Sequence, residues 1–490
     1  VKWGEAMSKE KLMEGFFNPE SIAVVGASDN PKKAGYIIVH NLIQKGFQRP
    51  VYPVNHNVNE VQGIKAYPLL SQIPEDVELV VLITPAAMIH SVMDDLEKRM
   101  EEKGDVKALV CAAADYGETK TEEGINRQNR LLETCNRYGI RVLGPNCIGV
   151  INNLNGVDTT FVDPGIPPSD FKMQSGISIV SQSGSIATSI MFMGASRPLP
   201  VKFNKFVSLG NMTDVDFIDI LEYYERDDST RVVGIYMEGY PKGKMLIEIM
   251  GRIARKKPVV ILKVGRGVKG AKAANSHTGS LAGTDAVYDA AFKQYGIIRV
   301  AAFRELIDTL LTLERMPMAN GRNFYVLSQT GGFGIFCTDL LEELQFVNMP
   351  KISEDTCNIL KEQMPVMSTI DEPEGYSDIT VSASEEQHAQ ALTAVLKDDK
   401  VDGVFFLTVT PTFLQQERLG HCLAEAYNSL EAKYKKPAFI CIMAGDYVKK
   451  SRCVLEEEGL CSFDTPNEAV VAAKHLIWYA EYLKAKEVRS

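Results

Sequence analysis

Short runs of Val, Ile and Leu alternate along this chain with longer, helix-like amphipathic stretches. Apolar runs of that length suit strands buried on both faces, so the pattern predicts parallel sheets covered by helices. The first series of runs falls at residues 22–25, 51–52, 79–83, 108–111 and 141–143, and closes at Gly144-Pro145-Asn146-Cys147. A second occupies residues 177–180, 202–207, 232–237, 259–263 and 297–300. After Met316-Pro317-Met318-Ala319-Asn320-Gly321, which reads as a linker, a third begins at 324–327 and continues through 403–407, 438–442 and 460–463. Residues 466–484 read as a closing helix.

The second and third series repeat one another. Ser178-Ile179-Val180-Ser181-Gln182-Ser183-Gly184 and Tyr325-Val326-Leu327-Ser328-Gln329-Thr330-Gly331 each predict a strand that turns through Ser-Gln-Ser/Thr-Gly into a helix, at 186–193 and 333–344. Lys256-Lys257-Pro258-Val259-Val260-Ile261-Leu262 is echoed by Lys435-Lys436-Pro437-Ala438-Phe439-Ile440-Cys441, and each leads to a glycine, Gly265 and Gly445. Coincidence could produce either pair alone; two pairs in the same order point to a duplicated doubly wound unit. A strand that turns sharply into a helix aims unpaired backbone N–H groups and the positive end of the helix dipole above the sheet. Two such ends in one chain suggest an anion held from both sides.

At 490 residues the chain is too long for one core, and ordinary domain sizes suggest about three. A formal charge of −10 without a long basic stretch argues against nucleic-acid binding. The nine cysteines are scattered and lack any Cys-x-x-Cys, which favours neither a disulfide framework nor a zinc site and fits a reducing, cytoplasmic compartment. No apolar run reaches bilayer-spanning length and no secretory signal opens the chain; residues 1–6, before Met7, are set aside as an alternative start.

Gly265-x-Gly267-x-x-Gly270 matches the dinucleotide fingerprint in letter only. It follows the fourth strand of its unit and is expected to run into a polar loop at residues 275–277, where the fingerprint requires a helix. Val25-Gly26-Ala27-Ser28 is a strand-to-helix turn suited to a phosphate, but the next strand ends in Val54-Asn55-His56-Asn57, with no acid for a ribose diol. NAD is therefore disfavoured against another phosphorylated adenine ligand, and no Walker-type ATP motif occurs. Of seven histidines, His40, His388, His421 and His475 fall on helix-like stretches; His277 differs in having small polar neighbours. Glu238 ends a strand at the carboxyl edge of a parallel sheet, where it could fix the tautomer of a histidine and leave the other ring nitrogen as nucleophile. Asp214, Asp216 and Asp219 imitate a metal cluster but read as caps and first-turn acids of the next helix, so no metal site is expected.

These motifs together resemble the α subunit of nucleoside-diphosphate-forming acyl-CoA synthetases, relatives of succinyl-CoA synthetase, and most of all the archaeal ADP-forming acetyl-CoA synthetases. Val25-Gly26-Ala27-Ser28, Ile83-Thr84-Pro85-Ala86 and Gly144-Pro145-Asn146-Cys147-Ile148-Gly149 resemble its CoA-binding domain. Ser181-Gln182-Ser183-Gly184, Tyr236-Met237-Glu238-Gly239 and Ser276-His277-Thr278-Gly279-Ser280-Leu281-Ala282-Gly283 resemble its phosphohistidine domain, and Ser328-Gln329-Thr330-Gly331-Gly332-Phe333-Gly334 its later flavodoxin-like domain. Where relatives carry Asn-Pro-x-Asp early in that last domain, this chain has Asp371-Glu372-Pro373-Glu374-Gly375-Tyr376-Ser377-Asp378, with Asp378 in place of the final acid.

The resemblance implies an α/β chain: a Rossmann-like CoA-binding domain at 7–150, a flavodoxin-like phosphohistidine domain at 151–315 and a second flavodoxin-like ligase domain at 316–484. It implies His277 as the phosphorylated residue with Glu238 orienting it. Phosphate would be bound at Ser183, Gly184, Thr330, Gly331 and Gly332, and CoA at Gly26, Ala27, Ser28, Lys33, Asn55, Thr84, Pro85 and Asn146. The family binds its nucleotide in an ATP-grasp domain, which these three domains leave out; an ATP-grasp β subunit with ADP or ATP and Mg²⁺, in an α2β2 complex, is the implied partner. A non-catalytic CoA or acyl-CoA sensor and a nicotinamide oxidoreductase are the competing readings.

Overall fold

The computed structural model describes residues 9–278 and 285–487 and divides into two compact units, the first ending at Val300 and the second made of Ser196–Pro200 and residues from Ala301 onward. Among the described residues three parallel sheets share one strand plan. Numbering the parallel strands of each sheet in chain order, the order across the sheet is 2-1-3-4-5.

The first unit carries two of these sheets. One runs Val51–Val54, Ile22–Val25, Leu79–Leu82, Ala108–Cys111, Arg141–Leu143, all parallel. The other runs Lys205–Ser208, Ile177–Ser181, Val232–Met237, Val259–Lys263, Ile298–Arg299. Its central strands are buried on both faces, which is why they read as continuous apolar runs. The sequence reading missed an antiparallel extension, Gly149–Asn152 and Val157–Asp158, paired onto Lys205–Ser208. Such an edge is set by long-range pairing, and nothing local distinguishes it from the loop after Cys147.

Asp158, on that edge, is 1% exposed and accepts at Oδ1 from the Thr160 amide (3.0 Å) and hydroxyl (2.7 Å). Burial, partly offset by Lys45 and the Thr160 bonds, pushes its pKa up to about 6. An unfolded chain ionises this carboxyl near 3.8, so between these values the folded state binds the extra proton and stability falls as pH rises. Asp158→Asn is expected to stabilise the first unit by about 3 kcal/mol above pH 6, with the gain vanishing below pH 4. Urea unfolding of both proteins across that range checks it; a difference independent of pH refutes the assignment.

The acids after Gly210 are structural, as their pattern suggests. Asp216 caps the helix Phe217–Arg226 and Asp219 completes a capping box, while Arg141 pairs with Asp214 (2.9 Å) and Asp219 (3.1 Å).

The second unit holds the third sheet: Tyr376–Asp378, Phe324–Ser328, Gly403–Thr408, Ala438–Ile442, Ser462–Phe463, with Thr369–Ile370 antiparallel at the edge. The copies agree in detail. The Val233 amide donates to the Pro258 carbonyl (2.9 Å) and the Val404 amide to the Pro437 carbonyl (3.0 Å), so the two Lys-Lys-Pro echoes enter equivalent fourth strands. Arg197, 5% exposed, is bonded within this unit to Asp308, to Glu456 (3.0 Å) and to the Ser462 carbonyl (2.9 Å). Among the described residues no helix is long and apolar enough to cross a membrane.

Candidate functional site

In a 2-1-3-4-5 sheet the helices leave strands 1 and 3 on opposite faces, opening a crevice above their carboxyl ends. Each sheet of the first unit has a cleft there.

The first cleft, about 720 Å³, is lined by Gly26, Ala27, Ser28, Lys33, Asn55, Thr84 and Pro85, which the sequence nominated as one set. Gly26 turns with φ +97°, a conformation that disfavours any side chain. Gly35 follows so closely that an added Cβ would lie 2.1 Å from the Gly26 carbonyl oxygen. Asn55 braces the turn by donating to the Ala27 carbonyl at 2.7 Å. The eighth nominee, Asn146, is not part of this cleft. It has φ +59°, points its amide at Asn211 (3.4 Å) and lines the second cleft instead.

The second cleft, about 960 Å³, brings together Ser183, Gly184 and Glu238 with Asn146, Asn211 and Thr213. Ala114 lines both clefts, so they share a wall. Gly184 opens the helix Gly184–Ala195, and its leading N–H groups have no partner within the helix. Gln182 is a latch rather than a ligand: its Oε1 accepts from the amides of Glu238 (2.8 Å) and Gly239 (3.2 Å), locking the end of strand 3 against the turn after strand 1. Glu238 is thereby held at the sheet edge, 9% exposed, with the Tyr236 hydroxyl 3.4 Å from its Oε1.

The second unit repeats this geometry at its own crevice. Gln329 Oε1 accepts from Thr408 Oγ1 (2.6 Å) and the Val409 amide (3.0 Å). Ser328 Oγ donates to the Thr330 carbonyl at 2.7 Å, as Ser181 Oγ does to that of Ser183 at 2.8 Å. Gly331 and Gly332 open the helix Gly331–Leu344 behind Thr330. At the register of Glu238 stands Val409, so the helix end is duplicated and the carboxylate is not. The acidic loop that departs from the family pattern folds around Asp371, which is 7% exposed and accepts from the Gly375 amide at 3.0 Å. Asp378 ends up beside the turn, its Oδ2 3.0 Å from where a Gly331 Cβ would be.

His277 lies on the helix Val268–Thr278; its side chain and residues 279–284 lie outside the described residues. This helix corrects one expectation. Gly265-x-Gly267-x-x-Gly270 does enter a helix at once, and residues 275–277 continue it in place of the polar loop. Small polar residues tolerate helix, so polarity alone does not mark a break. What separates the motif from a dinucleotide site is its place after strand 4, away from the crevice between strands 1 and 3. Sequence reasoning also missed Gln182 and Asn211, whose roles are visible only once distant strands are paired, and Lys263, a charge ending an apolar strand.

A family model described as a CoA binding domain matches residues 20–153, and one described as a succinyl-CoA ligase like flavodoxin domain matches residues 174–313. The ADP-forming acetate–CoA ligase II subunit alpha of Pyrococcus furiosus is 33% identical over 474 residues, covering 96% of this chain and 98% of its own. ADP-forming acetate–CoA ligase I of Archaeoglobus fulgidus is 35% identical over 97% of this chain, which corresponds to 64% of that longer protein. The solved structure of dinucleotide forming acetyl-coenzyme A synthetase 1 from Ca. Korarchaeum cryptofilum, in complex with phosphate and ADP, matches with TM-score 0.84 at 30% identity, over 97% of this chain and 98% of that one.

Proposed function

We infer, from the premise that this chain belongs to the family of ADP-forming acetate–CoA ligase α subunits, that it converts an acyl-CoA, phosphate and ADP to a carboxylic acid, CoA and ATP, reversibly, through a phosphohistidine. The observation that carries the reading is the pairing of a helix N-terminus at Gly184 with Glu238 in one cleft that shares a wall with the Gly26 cleft.

CoA is assigned to the Gly26 cleft, with its thioester reaching the second cleft past Ala114. A phosphate oxygen attacks the thioester carbonyl there, the carbon–sulfur bond breaks, and the thiolate leaves and takes up a proton. A ring nitrogen of His277 attacks phosphorus of the acyl phosphate, the bond from phosphorus to the acyl oxygen breaks, and the carboxylate departs. Attack by ADP on the phosphohistidine gives ATP and returns the imidazole. Such transfers depend on position and on neutralising the equatorial oxygens, which the leading N–H groups at Ser183 and Gly184 can do. Thr330, Gly331 and Gly332 are assigned a second phosphate contact. Glu238 accepts from one ring nitrogen and keeps the other as nucleophile.

The reading divides the chain at 7–150, 151–315 and 316–484. The nucleotide and Mg²⁺ are assigned to an ATP-grasp β subunit in an α2β2 complex. The match to the Pyrococcus furiosus subunit alpha over 98% of its own length supports a separate partner subunit. Nine cysteines, with no disulfide among the described residues, agree with a cytoplasmic setting.

Incubating the protein with labelled inorganic phosphate and a panel of acyl-CoAs should place acid-labile, base-stable label on this chain and identify the acyl class. No label from any thioester, alone or with the co-expressed partner, overturns the reading and leaves a CoA-binding protein.

A further inference from the structure

Two lysines in the second sheet of the first unit are 2% exposed, Lys205 and Lys263. Lys205 is matched by Asp227 at 2.7 Å, the ordinary way to bury an ammonium. Lys263 has no ion-pair partner among the described residues; its Nζ donates to the Glu238 carbonyl at 2.8 Å and to the Val264 carbonyl. The ring of Tyr288 lies 5.0 Å from it and Arg299 donates to its own carbonyl at 3.3 Å. Burial, with Arg299 acting in the same direction and Asp285 and Glu238 opposing, lowers its pKa. A buried cation held only by carbonyls costs stability that a Met or Leu would not, so its value lies in what it holds.

Those two carbonyls are not arbitrary. Glu238 follows strand 3, and Val264 opens the segment between strand 4 and the helix Val268–Thr278 that carries His277. Gln182 fixes the Glu238 peptide from its amide side, and Lys263 fixes it from its carbonyl side. We propose that Lys263 is a positioning residue for phosphoryl transfer, clamping the Glu238 peptide to the first peptide of the His277-bearing segment and so fixing where the Glu238 carboxylate points. The proposal rests on the reading that Glu238 orients His277.

The test is Lys263→Met beside Glu238→Gln, both in the complex with the partner subunit. Initial rates of histidine labelling from acyl-CoA and phosphate are measured with KM for acyl-CoA, CoA affinity and the thermal midpoint. Lys263→Met is expected to slow labelling by roughly 10–100-fold, the size seen when a second partner of a functional side chain is lost, with KM and CoA affinity within about twofold of wild type and a midpoint within a few degrees. An unchanged labelling rate overturns the proposal. So does a loss of rate accompanied by equal losses in CoA affinity and midpoint, which would make Lys263 structural. If Glu238→Gln labels at the wild-type rate, the reading of Glu238 itself fails; slow labelling in Lys263→Met would then show that the lysine does not act through Glu238.

Discussion

Replacing His277 with asparagine is expected to abolish histidine labelling and to lower turnover by about a thousandfold or more, while CoA affinity stays at the wild-type value. The two readouts separate because they depend on different strands. CoA is assigned to the crevice of the first sheet, where Gly26, Asn55 and Thr84 are set by the strands Ile22–Val25, Val51–Val54 and Leu79–Leu82. His277 comes from a different element, the helix after strand 4 of the second sheet. Asparagine retains polarity and approximate size but has no ring nitrogen lone pair, so nothing can accept the phosphoryl group. Neutralisation of the phosphate by the Gly184 helix is untouched, and acyl phosphate would still form and stop there. Isothermal titration with CoA and labelling with radioactive phosphate decide the matter. Label persisting in His277→Asn would place the nucleophile elsewhere; turnover at the wild-type level would remove the relay altogether.

The largest effect on stability is expected at Arg197. Removing it by Arg197→Ala leaves Glu456, 1% exposed, as a buried carboxylate without its cation, and leaves Asp308, 3% exposed, with Arg304 at 3.2 Å as its one remaining ion-pair partner among the described residues. Breaking one side of such a group costs about 3–5 kcal/mol. The Leu199 amide, which donates to the other Glu456 oxygen at 3.3 Å, and the Ser462 carbonyl lose order or a partner with it. Hydrogen exchange of the strands Phe324–Ser328 and Gly403–Thr408 should quicken accordingly, with Ile22–Val25 in the first unit as internal control. Replacing Arg197, Asp308 and Glu456 together by apolar residues of similar volume should return most of the loss, because the cost lies in unpaired charge. A change below about 1 kcal/mol in Arg197→Ala would mean that water reaches the carboxylates.

By itself the sequence determined the alternation of strand and helix, the duplication and the turns that carry the candidate chemistry. Each of these is written locally: a buried parallel strand must be apolar along its length, and a helix start above a sheet needs small residues such as Gly184 and Gly331. It also marked Asp216 and Asp219 as acids of a helix start, since such acids have a short-range signature, whereas the pairing of Asp214 with Arg141 is a tertiary contact. Tertiary structure alone decided everything that depends on which strand lies beside which. It moved Asn146 from the first cleft to the second, because its partner Asn211 is 65 positions away. It made Gln182 a latch across to Glu238, 56 positions on, and put the carbonyl of Glu238 under the ammonium of Lys263, 25 positions further. The helical course of residues 275–277 lies between these cases: small polar residues permit both loop and helix, and the helix begun at Val268 runs on through them.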